Sequence, residues 1–350
     1  LLVADEENFS PQRRQEFMGL IANSDYDAVI ITHSAFKLMG MAHASEAAFL
    51  KEELAKYDRV LDALPKSDRR GRRDIEAMRE KMRDKLAALA NMKRDKGLVW
   101  DDLGVDMLVV DEAHEYRKLS FATTRTRTKG IDPQGSQAAW DLYMKLRGIH
   151  ARTPGRNILF LSGTPVVNTM AEVYSVQRML QPQALAAAGL EAFDDWAASF
   201  AGDKITFEKT AGKGFQTALR LGRWVNLSGL SGMWNQIADY KRSDDLPYMK
   251  GKRPRLRTGG FQAVVVDESA AQKDYRERVI MERIEAIKNR QGPPQKGDDI
   301  LLTVITDAKH VAMDERFADS TLSGSGGKLD RMAAKILEIH AEGSRGADPD

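Results

Sequence analysis

The run from Val105 to Arg117, VDMLVVDEAHEYR, holds the side chains best suited to chemistry, because a short apolar stretch ends directly in Asp111, Glu112 and His114. In open α/β sheets ligands gather outside the carboxyl ends of the strands, so two carboxylates at a strand exit suit a magnesium-nucleotide site. There Asp111 holds Mg²⁺ through water, and Glu112 orients and deprotonates a water that attacks the γ-phosphate of a nucleoside triphosphate. An acidic turn after a buried strand explains the two carboxylates but not His114 as well. Glu115 continues the acidity and reads as solvated. A zinc-protease reading fails, since no histidine follows His114-Glu115 at the required helical spacing. A second run, Asn157 to Pro165 (NILFLSGTP), is another apolar strand, ending in small hydroxyl residues around a glycine. Ser162, Gly163 and Thr164 are placed to couple the two strand exits, the hydroxyls bonding His114 or the acidic pair and passing the nucleotide state to a bound polymer.

These residues need a sheet to hold them. Met107–Val110 and Ile158–Leu161 are β-branched and leucine runs of the kind buried on both faces of a parallel sheet. Leu1–Ala4 and Ala28–Thr32 are two more strands, separated by a helix that begins near Ser10-Pro11. From Ala44 to Lys96 the apolar period is helical: Leu50, Leu54, Tyr57, Leu61 and Leu64 form one stripe, and Ile75, Met78, Met82, Leu86 and Leu89 another. Between them, Pro65 to Arg73 suits the turn of a helical hairpin. Its Arg69–Arg73 cluster reads as solvated, with contact to distant duplex as the alternative. Further along, the pattern predicts a polar loop at Ala122–Ser136, a helix over Gln137–Gly148, and helices from Met170 through Trp196. It then gives a loop at Gly202–Gly214, a helix over Trp224–Tyr240, and an extended connection at Asp244–Gly260. A strand at Phe261–Val266, a helix over Ser269–Arg290, a loop at Gln291–Gly297 and a last helix over Lys328–Ala341 complete the chain.

Composition narrows the class. The 350 residues carry 53 basic and 51 acidic side chains, a formal charge of +2, so any surface for a polyanion must be local. No apolar run approaches the ~20 residues of a membrane span. With no cysteine there is no disulfide framework and no cysteine-based metal site or nucleophile, which fits a reducing cytoplasm. Arg125, Arg127 and Lys129, interleaved with threonines, are cations and hydroxyls of the type that grips phosphates without reading sequence, although a solvated loop reads equally well. Trp196, Trp224 and Trp234 lie in helical patterns and read as core.

The DEAH and LSGTP pair resembles motifs II and III of superfamily 2 helicases, specifically the Swi/Snf-like branch. The likeness extends through VVNTMAEVYSVQRMLQP, with Asn168 and Glu172 in the positions that branch fills. LVADEENF resembles motif Ia, and IITHSAF motif Ib, which implies that Thr32, His33 and Ser34 line a nucleic-acid track. RWVNLSGLSGMWNQIADY, FQAVVVDESAAQKDY and GGKLDRMAAKILEIHAEG resemble the passage into a second lobe. The chain as a whole resembles the helicase part of large helicase–DNA methylase fusion proteins of phages and mobile elements, antirestriction proteins among them. The resemblance implies an α/β fold, a RecA-like (P-loop NTPase-type) parallel sheet flanked by helices with a helical hairpin insertion. It implies residues 1–44 and 98–200 as a partial first lobe, 45–97 as the hairpin, 201–260 as a connection, and 261–350 as linker and start of a second lobe. It implies ATP and Mg²⁺ as cofactors, and duplex DNA, a second lobe and a methylase domain of the same polypeptide as partners, in the cytoplasm of a bacterial or phage-infected cell. The alternative is a non-catalytic, helicase-like DNA clamp or scaffold in a methylase or antirestriction assembly.

Two departures qualify the likeness. No G-x-x-x-x-G-K-[ST] phosphate loop occurs, and Gly212-Lys213-Gly214 and Gly327-Lys328-Leu329 lack both the following hydroxyl and the earlier glycine. The second-lobe motifs, with an arginine finger worth ~10³ to 10⁵ in rate, are also missing. Leu1 is therefore expected to be a cut inside a larger polypeptide. The 350 residues alone should hydrolyse ATP negligibly, and nucleic-acid-stimulated phosphate release by the purified chain would contradict this.

Overall fold

In the computed structural model the described residues are 1–91, 97–210, 214–249, 252, 261–295, 297–322 and 327–345. β1 (Leu2–Val3) and β2 (Val29–Ile30) are connected through α1 (Arg14–Asn23) and pair in parallel, Leu2 against Val29. Parallel neighbours need such a crossover, because a tight turn only reverses the chain. Thr32 then caps α2 (His33–Lys37), its hydroxyl accepting from the Ala35 N–H at 3.2 Å. α3 (His43–Ala63) and α4 (Arg69–Asn91) follow and pack against each other. At their junction Arg72 donates to the carbonyls of Leu61 (2.6 Å) and Leu64 (3.2 Å), satisfying acceptors that a helix end leaves open.

β3 (Leu108–Val110) and β4 (Ile158–Phe160) pair in parallel across α5 (Gln137–Arg152), with Leu108 opposite Ile158 and Val110 opposite Phe160. Then come α6 (Ala171–Leu180), α7 (Pro182–Ala187), α8 (Phe193–Phe200), the paired strands β5 (Ala201–Thr210) and β6 (Gly214–Trp224), and α9 (Leu227–Trp234). The rest is helical: α10 (Ala270–Tyr275), a π-helical turn at Arg276–Ile280, α11 (Met281–Asn289), α12 (Leu301–Met313) and α13 (Lys328–Arg345). Two compact units result, Leu1–Thr206 with Thr217–Tyr240, and Phe207–Gln216 with Lys241–Asp350. No helix among the described residues is long and apolar enough to cross a membrane.

In the first unit, Phe17 and Met18 of α1, Phe36 of α2, Phe49 and Leu50 of α3, and Leu142, Leu146 and Ile149 of α5 form one core beneath the strands. A second core gathers Phe121, Tyr174, Phe193, Trp196 and Phe200 in edge and stacked ring contacts. Trp196 is fully buried, with its indole N–H donating to Gln177 at 2.7 Å.

Several sequence expectations are corrected. The strands are not covered on both faces by described residues: Val110 is buried, whereas Val109 is 50% and Leu159 45% exposed, because the helices that share their core lie against one face. Gly202–Gly214 is not a loop: it holds all of β5 but its first residue, and the first residue of β6, with 211–213 outside the described residues. Long-range pairing decides this, since β6 also exchanges backbone bonds with Lys129, whose N–H donates to Leu219 at 2.7 Å. The Trp224–Tyr240 helix shrinks to α9, because Asn226 takes a left-handed conformation (φ 46°) and its side chain caps the Gly229 N–H. Phe261–Val266 forms no strand; Phe261 is 97% exposed and has no strand partner among the described residues. Of Asp244–Gly260, the described part contains two 3-10 turns, and 250, 251 and 253–260 lie outside it. α12 was not anticipated in LLTVITDAKHVAM. Val304 and Val311, seven residues apart, bury one face of it, and Arg283 holds Asp299 and Asp307 at 2.7 and 2.8 Å.

Within the apolar stripe of α3 sits Glu53, only 1% exposed, answered by Arg178 of α6 at 3.2 Å. Arg178 also donates to the Ser120 carbonyl (2.9 Å) and stacks over Tyr143 (4.8 Å), while Lys56 adds a second contact to Glu53. Burial by itself would raise the Glu53 carboxyl, but Arg178 and Lys56 outweigh it and hold its pKa below the ordinary 4.5. Arg178→Met should strip Glu53 of its main counter-charge and cost about 3–5 kcal/mol in urea unfolding, and adding Glu53→Leu should restore much of that. A depressed carboxylate stabilises the fold above its unfolded pKa and loses that contribution as pH falls through the folded one. The wild type should therefore lose stability on acidification below the ordinary Glu value of 4.5 more steeply than the Glu53→Leu/Arg178→Met pair, as read by urea midpoints across that range.

Candidate functional site

The ladder of β3 and β4 continues past the strands into the loops that carry the chemistry. Leu161 N–H donates to Val110 and Ala113 N–H donates to Leu161, both at 2.9 Å, so the two exits are joined by backbone. Asp111 accepts the Glu112 N–H at 2.9 Å and leaves its carboxylate exposed. Glu112 adopts φ 46°, ψ 43°, a left-handed backbone that a non-glycine residue holds at a cost of about 1–3 kcal/mol. The bend starts a 3-10 turn, Ala113–Tyr116, and turns the Glu112 carboxylate back to His114, where Oε2 lies 3.0 Å from Nδ1.

Ser162 Oγ lies 3.3 Å from the same His114 Nδ1. One ring nitrogen serves one state at a time: protonated, it donates to the Glu112 carboxylate; unprotonated, it accepts from the Ser162 hydroxyl. The acidic exit and the serine on the neighbouring loop thus share one imidazole nitrogen. Ser162 also accepts the Thr164 N–H at 3.1 Å, which shapes the turn, while a Cβ at Gly163 would meet only open space. His114, Ser162 and Glu112 are together; Thr164 joins them through its main chain.

A second link lies below. Arg117 donates to the His114 carbonyl at 2.8 Å and sits 3.4 Å from Glu172 of α6. Glu172, 2% exposed, accepts the N–H groups of Val167 (2.7 Å) and Asn168 (3.1 Å) in the loop after β4. Arg117 and Glu172 thus tie the turn after one strand to the loop after the other. Periodicity did not single out this pair; the resemblance pointed to Glu172 and Asn168, whereas Arg117 carried no signal beyond its charge.

The turn at Thr32, His33 and Ser34 is brought to the same side. The His33 ring lies 5.3 Å from that of Tyr116, the last residue of the 3-10 turn, and the Thr32 and Ser34 hydroxyls are 3.0 Å apart. Burial, then Asp141 and Glu115, push the Tyr116 phenol up to about 12, so it stays neutral. α2 is fixed from beneath by Lys145 of α5, wholly buried, which donates to the Phe36 carbonyl (2.8 Å) and to Asp141 (2.7 Å). Burial lowers the Lys145 pKa, and Asp141 partly offsets this.

Arg125, Arg127 and Lys129 are engaged elsewhere. Arg125 pairs with Asp203 and Arg127 with Asp68, each at 2.8 Å, and the Lys129 main chain joins β6. Thr123 and Thr124 anchor their loop by holding Asp194. Among the described residues no three His, Asp or Glu side chains are grouped to hold a metal ion. A single exposed carboxylate such as Asp111 nevertheless suits Mg²⁺, which keeps several of its waters and takes one or two protein carboxylates beside a ligand's phosphates.

Residues 1–242 match a family model described as a probable helicase domain. The chain is also similar to the defense against restriction protein B of Escherichia phage P1, at 24% identity over 257 residues, covering 70% of this chain and 11% of that protein. The chain thus spans about a tenth of the length of that curated relative. No solved structure matches it.

The bond from Glu172 to the loop after β4 has a direct readout. Glu172→Ala should speed deuterium exchange at the Val167 and Asn168 amides by about tenfold or more, the loss expected of hydrogen bonds to a charged acceptor. Unchanged exchange at both would dismiss the link.

Proposed function

The chain belongs to the probable helicase domain family, and from that premise we propose that it is the first RecA-like lobe of an ATP-dependent DNA translocase of superfamily 2, in its Swi/Snf-like branch. The observation that carries the reading is the joining of the two strand exits, with His114 Nδ1 within 3.0 Å of Glu112 and 3.3 Å of Ser162. Parallel strand pairs with helical crossovers, and polar loops at their carboxyl ends, support the lobe assignment. In this reading Asp111 would hold Mg²⁺ beside the phosphates of ATP, where the ion neutralises charge that builds up on them. Glu112 takes the proton of the attacking water. His114 exchanges its partner between Glu112 and Ser162 as that carboxylate changes state, and Ser162, Gly163 and Thr164 carry the change into the loop.

Thr32, His33 and Ser34, against Tyr116 at the same edge, contact the DNA backbone through hydroxyl and ring groups. Such contacts position a duplex without reading its sequence. The phosphate-binding loop and the arginine of a second lobe are supplied by other parts of a longer polypeptide. In keeping with the name of the phage relative, that polypeptide acts in defence against restriction; DNA as its substrate and a methylase as a companion domain are further parts of this proposal.

In the longer polypeptide, Glu112→Gln should lower DNA-stimulated ATP turnover by ~10² to 10⁴, the range for loss of a general base, while equilibrium binding of ATP persists. Undiminished turnover would remove Glu112 from the role.

A further inference from the structure

The fold brings together two basic clusters that are distant in sequence. The loop carrying Arg127 rests on the first turn of α4: Arg127 Nη2 donates to Asp68 at 2.8 Å, and Asp68 also accepts the Gly71 N–H at 3.1 Å. Gly71 leaves room for both, since a Cβ there would lie 2.5 Å from Asp68 Oδ2 and 3.0 Å from Thr126 Oγ1. Beside this junction Arg69, Arg70 and Arg73 are exposed, and none forms an ion pair among the described residues, not even with Asp74 or Glu76 further along α4. Arg127 keeps 68% of its side chain exposed despite its bond.

Helix electrostatics gives no reason for Arg69 and Arg70 in the first turn of α4. The first turn of a helix is its positive end, where carboxylates stabilise and cations do the opposite. Arg72 is accounted for by the α3 carbonyls it satisfies; Arg69, Arg70 and Arg73 have no such task. We propose that Arg69, Arg70 and Arg73, with Arg127, form a second surface that grips the phosphate backbone of duplex DNA, on the hairpin and separate from the Thr32–Ser34 turn.

The chemistry fits that partner. Guanidinium groups bind phosphate as two-pronged donors, and Arg does so with less loss of hydration than Lys. From Arg69 to Arg73 the helix rises about 6 Å, close to the rise of two successive nucleotides in one strand, roughly 3.4 Å each. DNA as the occupant rests on the functional reading above; the surface itself rests on charge and exposure. It also allows a segment with a net charge near zero to hold a polyanion by a local field.

The test uses the 350-residue chain and a fluorescein-labelled duplex of about 25 base pairs, with anisotropy followed from about 50 to 200 mM salt. Replacing all three residues (Arg69→Gln, Arg70→Gln, Arg73→Gln) should make the slope of log K against log salt shallower by about 2 to 3, since each phosphate contact contributes about 0.9. The corresponding Lys triple variant, which keeps the charges, should retain the slope, and matching thermal melts would show that both variants fold. Binding by the wild type with an unchanged slope in the Gln variant would overturn the surface and leave the strand-exit reading standing. Failure of the wild type to bind the duplex at the lowest salt, or capture by anionic phospholipid vesicles in its place, would also overturn it. A reduced slope together with undiminished turnover in Glu112→Gln would keep the surface and remove Glu112 from its role as base.

Discussion

The buried contact between Glu53 and Arg178 is the constraint on which the first unit depends. It joins α3 of the hairpin to α6, and Arg178 reaches from there to the Ser120 carbonyl and the Tyr143 ring of α5. α6 in turn supplies Glu172, which holds the loop after β4 and faces Arg117 in the turn after β3. The hairpin and the strand exits are therefore attached to the same short helix. A desolvated charge is costly anywhere but beside its partner, so this pair disfavours packings of α3, α5 and α6 that would separate the two.

The strand exits use a different kind of constraint. Backbone bonds extend the β3–β4 ladder one step past the strands, and that step forces Glu112 into a left-handed turn. There a carboxylate and a hydroxyl both lie within hydrogen-bonding reach of one imidazole nitrogen. Beneath them, Lys145 fixes α2 through the Phe36 carbonyl, so the Thr32–Ser34 turn and the acidic turn are held by neighbouring parts of one core.

Parts of this were legible in the sequence. The short β-branched runs ending in Asp111 and Ser162 marked strand exits, and the Leu50–Leu64 and Ile75–Leu89 stripes marked two long helices, because burial on one side imposes its period on the chain. The loop carrying Arg125 and Arg127 was legible as polar but not as anchored: its partners Asp203 and Asp68 lie far away in sequence. Glu53 was hidden for a related reason. It interrupts the apolar stripe it belongs to, and only Arg178, 125 residues away, explains it. β5, β6 and α12 were missed where backbone or charge pairing at a distance outweighed local propensity.

By itself, then, the sequence determined which side chains could do chemistry, the period of the elements next to them, and membership of a helicase-related family, since all of these depend on near neighbours in the chain. Tertiary structure alone decided which charges are answered. It set Glu53 on Arg178, Arg117 against Glu172 and Arg127 on Asp68, and left Arg69, Arg70 and Arg73 without ion pairs among the described residues. The physical reason is that electrostatic partners are chosen by distance and desolvation in space, to which separation along the chain gives no guide.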